Sequence, residues 1–286
     1  MAVYKRSYRG YSGAVTAAWS RFLVLYRFSR RTLFRSKLQT IFFVLCFFFP
    51  LLCLLGIYAN SHLSALAFLG TRTSPFLDIN GNFFLVYLGV QAAFAFILTA
   101  FIGPGLVSPD LANGALTLYL CRPLSRAEYI LGKMSVLWIN LSWITWIPGL
   151  VLFFVQASLS GWQWTWDNAW LARAILVGSF IWILVLSLVA LALSAWVKWR
   201  VVAGALLLGV LFFGAGFARA INAVLRTQHG YLIDISKLVS IVWQDLFRDT
   251  ADLPLSVMEA WVALLAIAAF CLYLLMRKIR VNEVVR

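Results

Sequence analysis

The chain has 286 residues, of which 63% are hydrophobic and only 12% charged, and its mean hydropathy is +0.89. A soluble globular domain carries about 25% charged residues, so the composition excludes a water-soluble fold of this length. The formal charge of +14 would suit a nucleic-acid partner, but the basic residues collect between apolar runs and no nucleic-acid-binding motif accompanies them. We therefore expect an all-α integral membrane protein that contacts lipid and binds no nucleic acid.

The basic stretch before the first apolar run, residues 14–37, predicts a helix lying in the membrane plane. Arginines at 21, 27, 30, 31 and 35 surround four apolar residues at helical spacing, namely Trp19, Phe22, Leu23 and Tyr26. Such a helix sinks its apolar side into the headgroup boundary and meets anionic lipid with its guanidinium groups; a solvated basic arm is the alternative. We expect no cleavable signal peptide, because the first apolar run is too long for one.

Six apolar runs are long enough to cross a hydrocarbon core of about 30 Å, which takes roughly 20 helical residues. They cover residues 39–59, 83–107, 134–156, 174–197, 201–224 and 257–276. The expected organisation is a basic N-terminal region (1–38), a single six-helix transmembrane domain (39–277) and a short tail (278–286).

The distribution of charge predicts the orientation of these spans. Eighteen of the 24 Lys and Arg lie before span one, between spans two and three, between spans four and five, and after span six. The alternate connections hold the other six together with most of the acidic residues. Because cytoplasmic connections are enriched in Lys and Arg, we expect both termini in the cytoplasm.

Two features of the spans predict how they pack. Pro50 in span one and Pro148 in span three each remove a backbone hydrogen bond and should bend their helices. Small residues spaced four apart favour close helix approach, within or between subunits. They are Ala205 with Gly209, Gly214 with Ala218, and Gly216 with Ala220 in span five, and Ala190 with Ser194 in span four.

The sequence predicts no catalytic site, metal site or nucleotide site. Intramembrane catalysis requires ionisable groups that converge inside the bilayer, whereas both histidines, His62 and His229, fall in outer connections. The four cysteines show no paired metal-ligand spacing. The only Gly-Lys step, at residues 132 and 133, lacks the earlier glycine of a phosphate-binding loop. We expect a non-catalytic chain with no cofactor of its own.

The connection between spans two and three, residues 103–134, contains a helix-stop and helix-start pattern. Pro123 ends one helix, Ser125 can cap the next, and Glu128 three residues later completes a capping box. This order predicts a rigid helix-turn-helix, with Arg122 and Arg126 as charged contacts for a soluble partner. The alternative is that these residues only anchor the connection on the cytoplasmic side.

The same connection resembles that of the ABC-2 type transporter permeases. That family carries here an acidic residue, a glycine with a short apolar helix, an Arg-Pro-x-Ser-Arg step and a Gly-Lys pair that opens the next span. The matching residues are Asp110, Gly114, the run 115–120, Arg122, Pro123, Ser125, Arg126, Gly132 and Lys133. Asp110 stands where many members have Glu. The resemblance implies that these residues and Glu128 couple the spans to an ATPase, and we call residues 103–134 the coupling segment.

The resemblance also implies a function and partners. The chain would be the permease subunit of an ATP-driven exporter in the bacterial inner membrane, with six transmembrane helices and an N-terminal in-plane helix. Two copies would work with separately encoded ATP-binding subunits, which would hold ATP and Mg²⁺. The alternative is a membrane anchor that transmits ATPase movement to an extracytoplasmic partner. Such a partner would bind the outer segment 226–256, where Trp243 and Asp245 offer crosslinking positions.

Overall fold

The computed structural model describes part of the chain, and that part is all-helical. It comprises residues 26, 27, 29, 36–61, 79–114, 125–197, 199–249 and 253–279. The predicted in-plane helix, residues 14–37, lies almost entirely outside the described residues. Only its residues 26, 27, 29, 36 and 37 are described. The apolar run 115–120, Arg122 and Pro123 also lie outside them.

Within these ranges the chain forms eleven α-helices and one 3₁₀ turn. They are α1 (Lys37–Leu45), α2 (Phe48–Ser61), α3 (Gly81–Ile102), α4 (Pro104–Ala112), α5 (Arg126–Ile144), α6 (Trp146–Ser160), α7 (Trp162–Asp167), α8 (Ala169–Trp196), α9 (Arg200–Leu225), the 3₁₀ turn (His229–Ile233), α10 (Ile235–Leu246) and α11 (Val257–Lys278).

Six helical stretches in the described part of the chain are long and apolar enough to cross a membrane. They are Lys37–Ser61, Gly81–Asp110, Arg126–Ser160, Ala169–Trp196, Arg200–Leu225 and Val257–Lys278. Each matches one predicted span, so the prediction of six spans is confirmed. Large apolar side chains point outward along them, including Val201 at 83% and Phe213 at 78% exposure, as expected where lipid rather than water is the solvent.

Span four, the uninterrupted helix α8, forms the centre of the bundle. In the most apolar 18-residue stretch of span four, 78% of the residues are buried inside the protein, whereas the corresponding share is 22% in spans one, five and six. It packs against α3, α4, α5, α6, α9, α10 and α11. Because the other helices surround α8, its side chains meet protein on nearly every side, and the polar Ser179, Ser187 and Ser194 are buried along it.

Both predicted proline bends are present, and each is a break between two helices. Pro50 is the third residue of α2, and Pro148 is the third residue of α6. A proline has no N–H to donate and collides with the carbonyl four residues earlier. The helices accordingly stop just before, at Leu45 and Ile144 respectively.

Two side chains of α3, one turn apart, bind the backbone at these breaks. Gln91 Nε2 donates to the carbonyl oxygen of Cys46 at 3.2 Å, the oxygen that an amide at position 50 would otherwise reach. The Tyr87 hydroxyl donates to the carbonyl oxygen of Thr145 at 2.9 Å. Both side chains are fully buried. Span two therefore holds the bends of spans one and three in place.

Span two is itself broken near its C-terminal end, between α3 and α4. Pro104 opens α4 and removes an amide that α3 would have used. Beside this break, the carbonyl oxygen of Phe101 accepts from Gln39 Nε2 at 3.3 Å and from an Arg200 guanidinium nitrogen at 3.2 Å. This break thus joins the starts of spans one and five to the end of span two.

The small residues serve close packing at only some of the predicted positions. A Cβ on Gly103, the residue after α3, would lie 2.8 Å from the Cβ of Ala190, so the chain touches α8 there. In span five Ala218 is buried, and its carbonyl oxygen would lie 2.6 Å from a Cβ on Gly230. A Cβ on Gly216 would meet nothing within 4 Å. Among the described residues, no helix packs against Gly216.

The outer segment after span five is more buried than the sequence predicts. Its helix α10 begins at the N-cap Asp234, whose carboxylate accepts from the amide of Lys237 at 3.1 Å. Along α10, Leu238, Val242 and Trp243 are buried. Trp243 is thus unsuited as a crosslinking position, whereas Asp245 is exposed. This segment packs against spans four and six.

Candidate coupling site

The coupling segment is attached to the centre of the bundle through two serines. Ser194 Oγ of α8 accepts from the amides of Val107 and Ser108, at 3.2 and 3.0 Å, and donates to the carbonyl oxygen of Pro104 at 3.1 Å. The Ser108 hydroxyl donates to the carbonyl oxygen of Ser194 at 2.9 Å. All these groups are buried, so the bonds replace contacts with water that polar groups of α4 and α8 have lost.

Asp110, held on α4 by this network, forms a salt bridge with Lys133 of α5. Its Oδ2 lies 2.8 Å from Lys133 Nζ, and the two side chains are 16% and 7% exposed. The hydroxyl of Tyr129 donates to the same oxygen at 2.8 Å. Tyr129 lies one turn before Lys133, and the ammonium group stands 5.6 Å from the centre of its ring.

The trio of Asp110, Tyr129 and Lys133 joins the end of span two to the start of span three. Buried charges are tolerated only when they are paired and hydrogen-bonded. The carboxylate here accepts from an ammonium and a phenol, and removal of either donor leaves it underpaired. Direct contacts therefore connect α5 to α4 through the salt bridge, and α4 to α8 through Ser194.

The predicted capping box is present at the start of α5. The Ser125 amide donates to Glu128 Oε2, with the two atoms 2.6 Å apart, and the Glu128 amide donates to Ser125 Oγ at 3.2 Å. Ser125 has the ordinary extended backbone of an N-cap residue, with φ −73° and ψ 159°. The cap fixes where α5 begins and how its first turn is presented.

The other predicted coupling residues in the described ranges have separate places. Gly114 ends the turn after α4 in a left-handed conformation, with φ +64°, a backbone shape that glycine adopts without cost. Arg126 is exposed in the first turn of α5, whereas Gly132 is buried within that helix. The structure therefore brings Asp110 and Lys133 together and leaves Arg126 at the surface.

Sequence reasoning missed three residues of this site, Tyr129, Ser108 and Ser194. The spacing of Tyr129 and Lys133, four apart on a helix, was the available indication that both face the same neighbour. Nothing comparable marks the two serines, because their partners lie more than 80 residues away in the chain. Within the described ranges, no three His, Cys, Asp or Glu side chains lie close enough to hold a metal ion.

No protein-family model matches the chain, and no curated protein matches it with significant similarity.

Proposed function

We propose that this multi-pass membrane protein is the permease subunit of an ATP-driven ABC transporter, and that it works as an exporter. The observation that carries the proposal is the salt bridge between Asp110 and Lys133. These are the acid and the lysine of the resemblance to the ABC-2 permeases, and they connect the two spans that flank the coupling segment.

The proposed mechanism starts outside the chain. Two ATP-binding subunits, which hold ATP and Mg²⁺, approach each other when nucleotide binds and push on the coupling segments of two permease copies. The capped start of α5 receives the push. The salt bridge passes it to α4, and Ser194 passes it to the central helix α8. Access through the interface of the two copies then switches between the cytoplasm and the outside of the bacterial inner membrane.

Arg126 is the described residue best placed to contact the ATPase. It is exposed in the first turn of α5, beside the capping box. The Arg126→Glu variant leaves Ser125 and Glu128 in place, so it reverses a surface charge without removing the cap. The Arg173→Glu variant is the matched control, because Arg173 is also exposed near the start of a helix, at the other end of the bundle.

The experiment is to purify the tagged chain from its host in mild detergent and to identify the proteins that accompany it. We expect a protein with a phosphate-binding loop and Mg²⁺-dependent ATPase activity. Its recovery should fall with Arg126→Glu and stay unchanged with Arg173→Glu. Absence of any ATPase from the wild-type preparation would count against the proposal.

The alternative function, an anchor that transmits ATPase movement to an extracytoplasmic partner, shares the cytoplasmic site and differs outside. A photo-crosslinker at the exposed Asp245 tests it. The anchor predicts a crosslinked extracytoplasmic protein, whereas the transporter predicts that reconstituted chain and ATPase move substrate without one.

A further inference from the structure

A cavity of about 390 Å³ opens among α3, α8, α9 and α10, at the end of the bundle away from the coupling segment. Small-molecule sites in proteins have volumes of about 300–1,000 Å³, so the cavity is large enough to hold part of a ligand. Its walls include Phe96 of α3, Trp182 of α8, Leu211 of α9 and Trp243 of α10.

The walls present apolar surface because their polar atoms are already bonded. The indole N–H of Trp182 donates to the carbonyl oxygen of Ala92 at 3.1 Å. The indole N–H of Trp243 donates to the carbonyl oxygen of Gly178 at 3.0 Å. The two indole rings lie edge to face, with centres 6.1 Å apart. These contacts fix the two indole rings, and a ligand in the cavity would contact their carbon atoms.

Two polar side chains, Arg219 and Ser236, line the same cavity. No Asp or Glu is among the lining residues. In the described part of the chain, no carboxylate lies within ion-pair distance of Arg219. An unpaired guanidinium beside an apolar wall is complementary to a ligand that has an anionic group and a hydrocarbon part.

The depth of Arg219 in the membrane fits such a ligand. Arg219 lies nineteen residues along α9 from Arg200, which is about 28 Å at 1.5 Å per residue. The hydrocarbon core is about 30 Å thick, so the guanidinium reaches headgroup level. Leu211, two turns earlier on α9, lies deeper in the hydrocarbon region. The cavity is therefore polar at headgroup level and apolar below it.

We propose that this cavity binds an anionic phospholipid, with the headgroup phosphate on Arg219 and one acyl chain along the wall formed by Phe96 and Leu211. The Ser236 hydroxyl supplies a second hydrogen bond to the headgroup. The site does not depend on the proposed transport function, because it needs neither an ATPase nor a second copy of the chain.

The test places the purified chain in phosphatidylcholine nanodiscs that contain a trace of photoactivatable lipid. The probes are phosphatidylglycerol and phosphatidylcholine with the same diazirine in the acyl chain. We expect phosphatidylglycerol to label the Phe96 and Leu211 walls more strongly. Arg219→Gln should lower that label roughly fivefold, the effect of one basic residue near an anionic headgroup, and Arg219→Lys should retain most of it.

A second variant tests the cavity independently of the charge. A Cβ on Gly89, which lines the cavity, would meet nothing within 4 Å, so Gly89→Leu fills the space without a clash at its first atom. It should lower phosphatidylglycerol labelling of the wall. Gly216→Leu is the control, because Gly216 has similar open space on the helix of Arg219 but does not line the cavity.

Equal labelling by the two lipids, or labelling unchanged by Arg219→Gln, would overturn the proposal and leave Arg219 as an ordinary interfacial arginine. If Arg219→Gln lowered labelling but Gly89→Leu did not, the charge would attract lipid without a cavity site, and the proposal would again fail. Labelling that falls with both variants and persists with Gly216→Leu supports it.

Discussion

Gln91 donates from Nε2 to the carbonyl oxygen of Cys46 at 3.2 Å, the acceptor that Pro50 leaves without its amide. A side chain of span two thus replaces a backbone bond that span one cannot make. In a bilayer this replacement is needed, because no water reaches the freed carbonyl.

Gln91→Leu should therefore destabilise the protein. The variant leaves the Cys46 carbonyl unpaired in an apolar environment, at a cost of about 1–3 kcal/mol. Thermal unfolding in detergent, followed by tryptophan fluorescence, should show a lower midpoint. The exposed Gln163 provides the control, and Gln163→Leu should shift the midpoint little. If Pro50→Ala did not reduce the cost of Gln91→Leu, the two residues would not be coupled as argued.

Tyr87→Phe should cost less than Gln91→Leu. The Thr145 carbonyl oxygen that loses the phenol still accepts from the amide of Gly149 at 3.2 Å, so it is not left unpaired. We expect a loss of about 0.5–1.5 kcal/mol, the net value of one hydrogen bond. The same unfolding assay ranks the two variants, and a larger effect for Tyr87→Phe would contradict this account.

Lys133→Met should be strongly destabilising, because it leaves the Asp110 carboxylate without its cation. Breaking one partner of a buried ion pair costs about 3–5 kcal/mol. Removing both charges, in Asp110→Asn with Lys133→Met, should recover much of that loss. A double-mutant cycle on unfolding measures the coupling. Additive effects of the two single variants would show that the pair contributes no coupling.

Ser194→Ala should loosen α4 from the central helix. The change removes the hydroxyl that bonds the backbone at Val107, Ser108 and Pro104, and we expect a loss of about 1–3 kcal/mol. Hydrogen exchange should increase at the amides of α4. Ser158→Ala is the control, since Ser158 is exposed and bonds only within its own turn; it should change stability by less than about 0.5 kcal/mol.

Gly149→Ala and Gly216→Ala should have opposite effects on stability. A Cβ at position 149 would lie 2.9 Å from Ile175 Cγ2 and 3.0 Å from Tyr87 Cε1, which forces packed atoms apart at a cost of about 1–3 kcal/mol. At position 216 the Cβ meets open space, and the better helix propensity of alanine should stabilise by up to about 1 kcal/mol. The unfolding midpoint should fall for the first variant and rise for the second.

Part of the candidate site was predictable because its signals are local. The capping box at Ser125 and Glu128 depends on residues three apart, and the structure contains both of its hydrogen bonds. A second capping box, at Ser256 and Glu259, has the same spacing and opens α11. The partner of Asp110 was not predictable, since the salt bridge to Lys133 depends on how α4 and α5 meet in space.

The sequence by itself determined that lipid surrounds most of this protein, how many spans it has and where its proline bends lie. Those properties follow from runs of apolar residues and from a missing amide, both of which belong to short stretches of chain. Only the tertiary structure decided that α8 is central, that Gln91 and Tyr87 bind the backbone at two bends, and that Gly216 lies in open space. Each of these depends on contacts between residues distant in the chain, where packing selects a few partners from many apolar surfaces of similar composition.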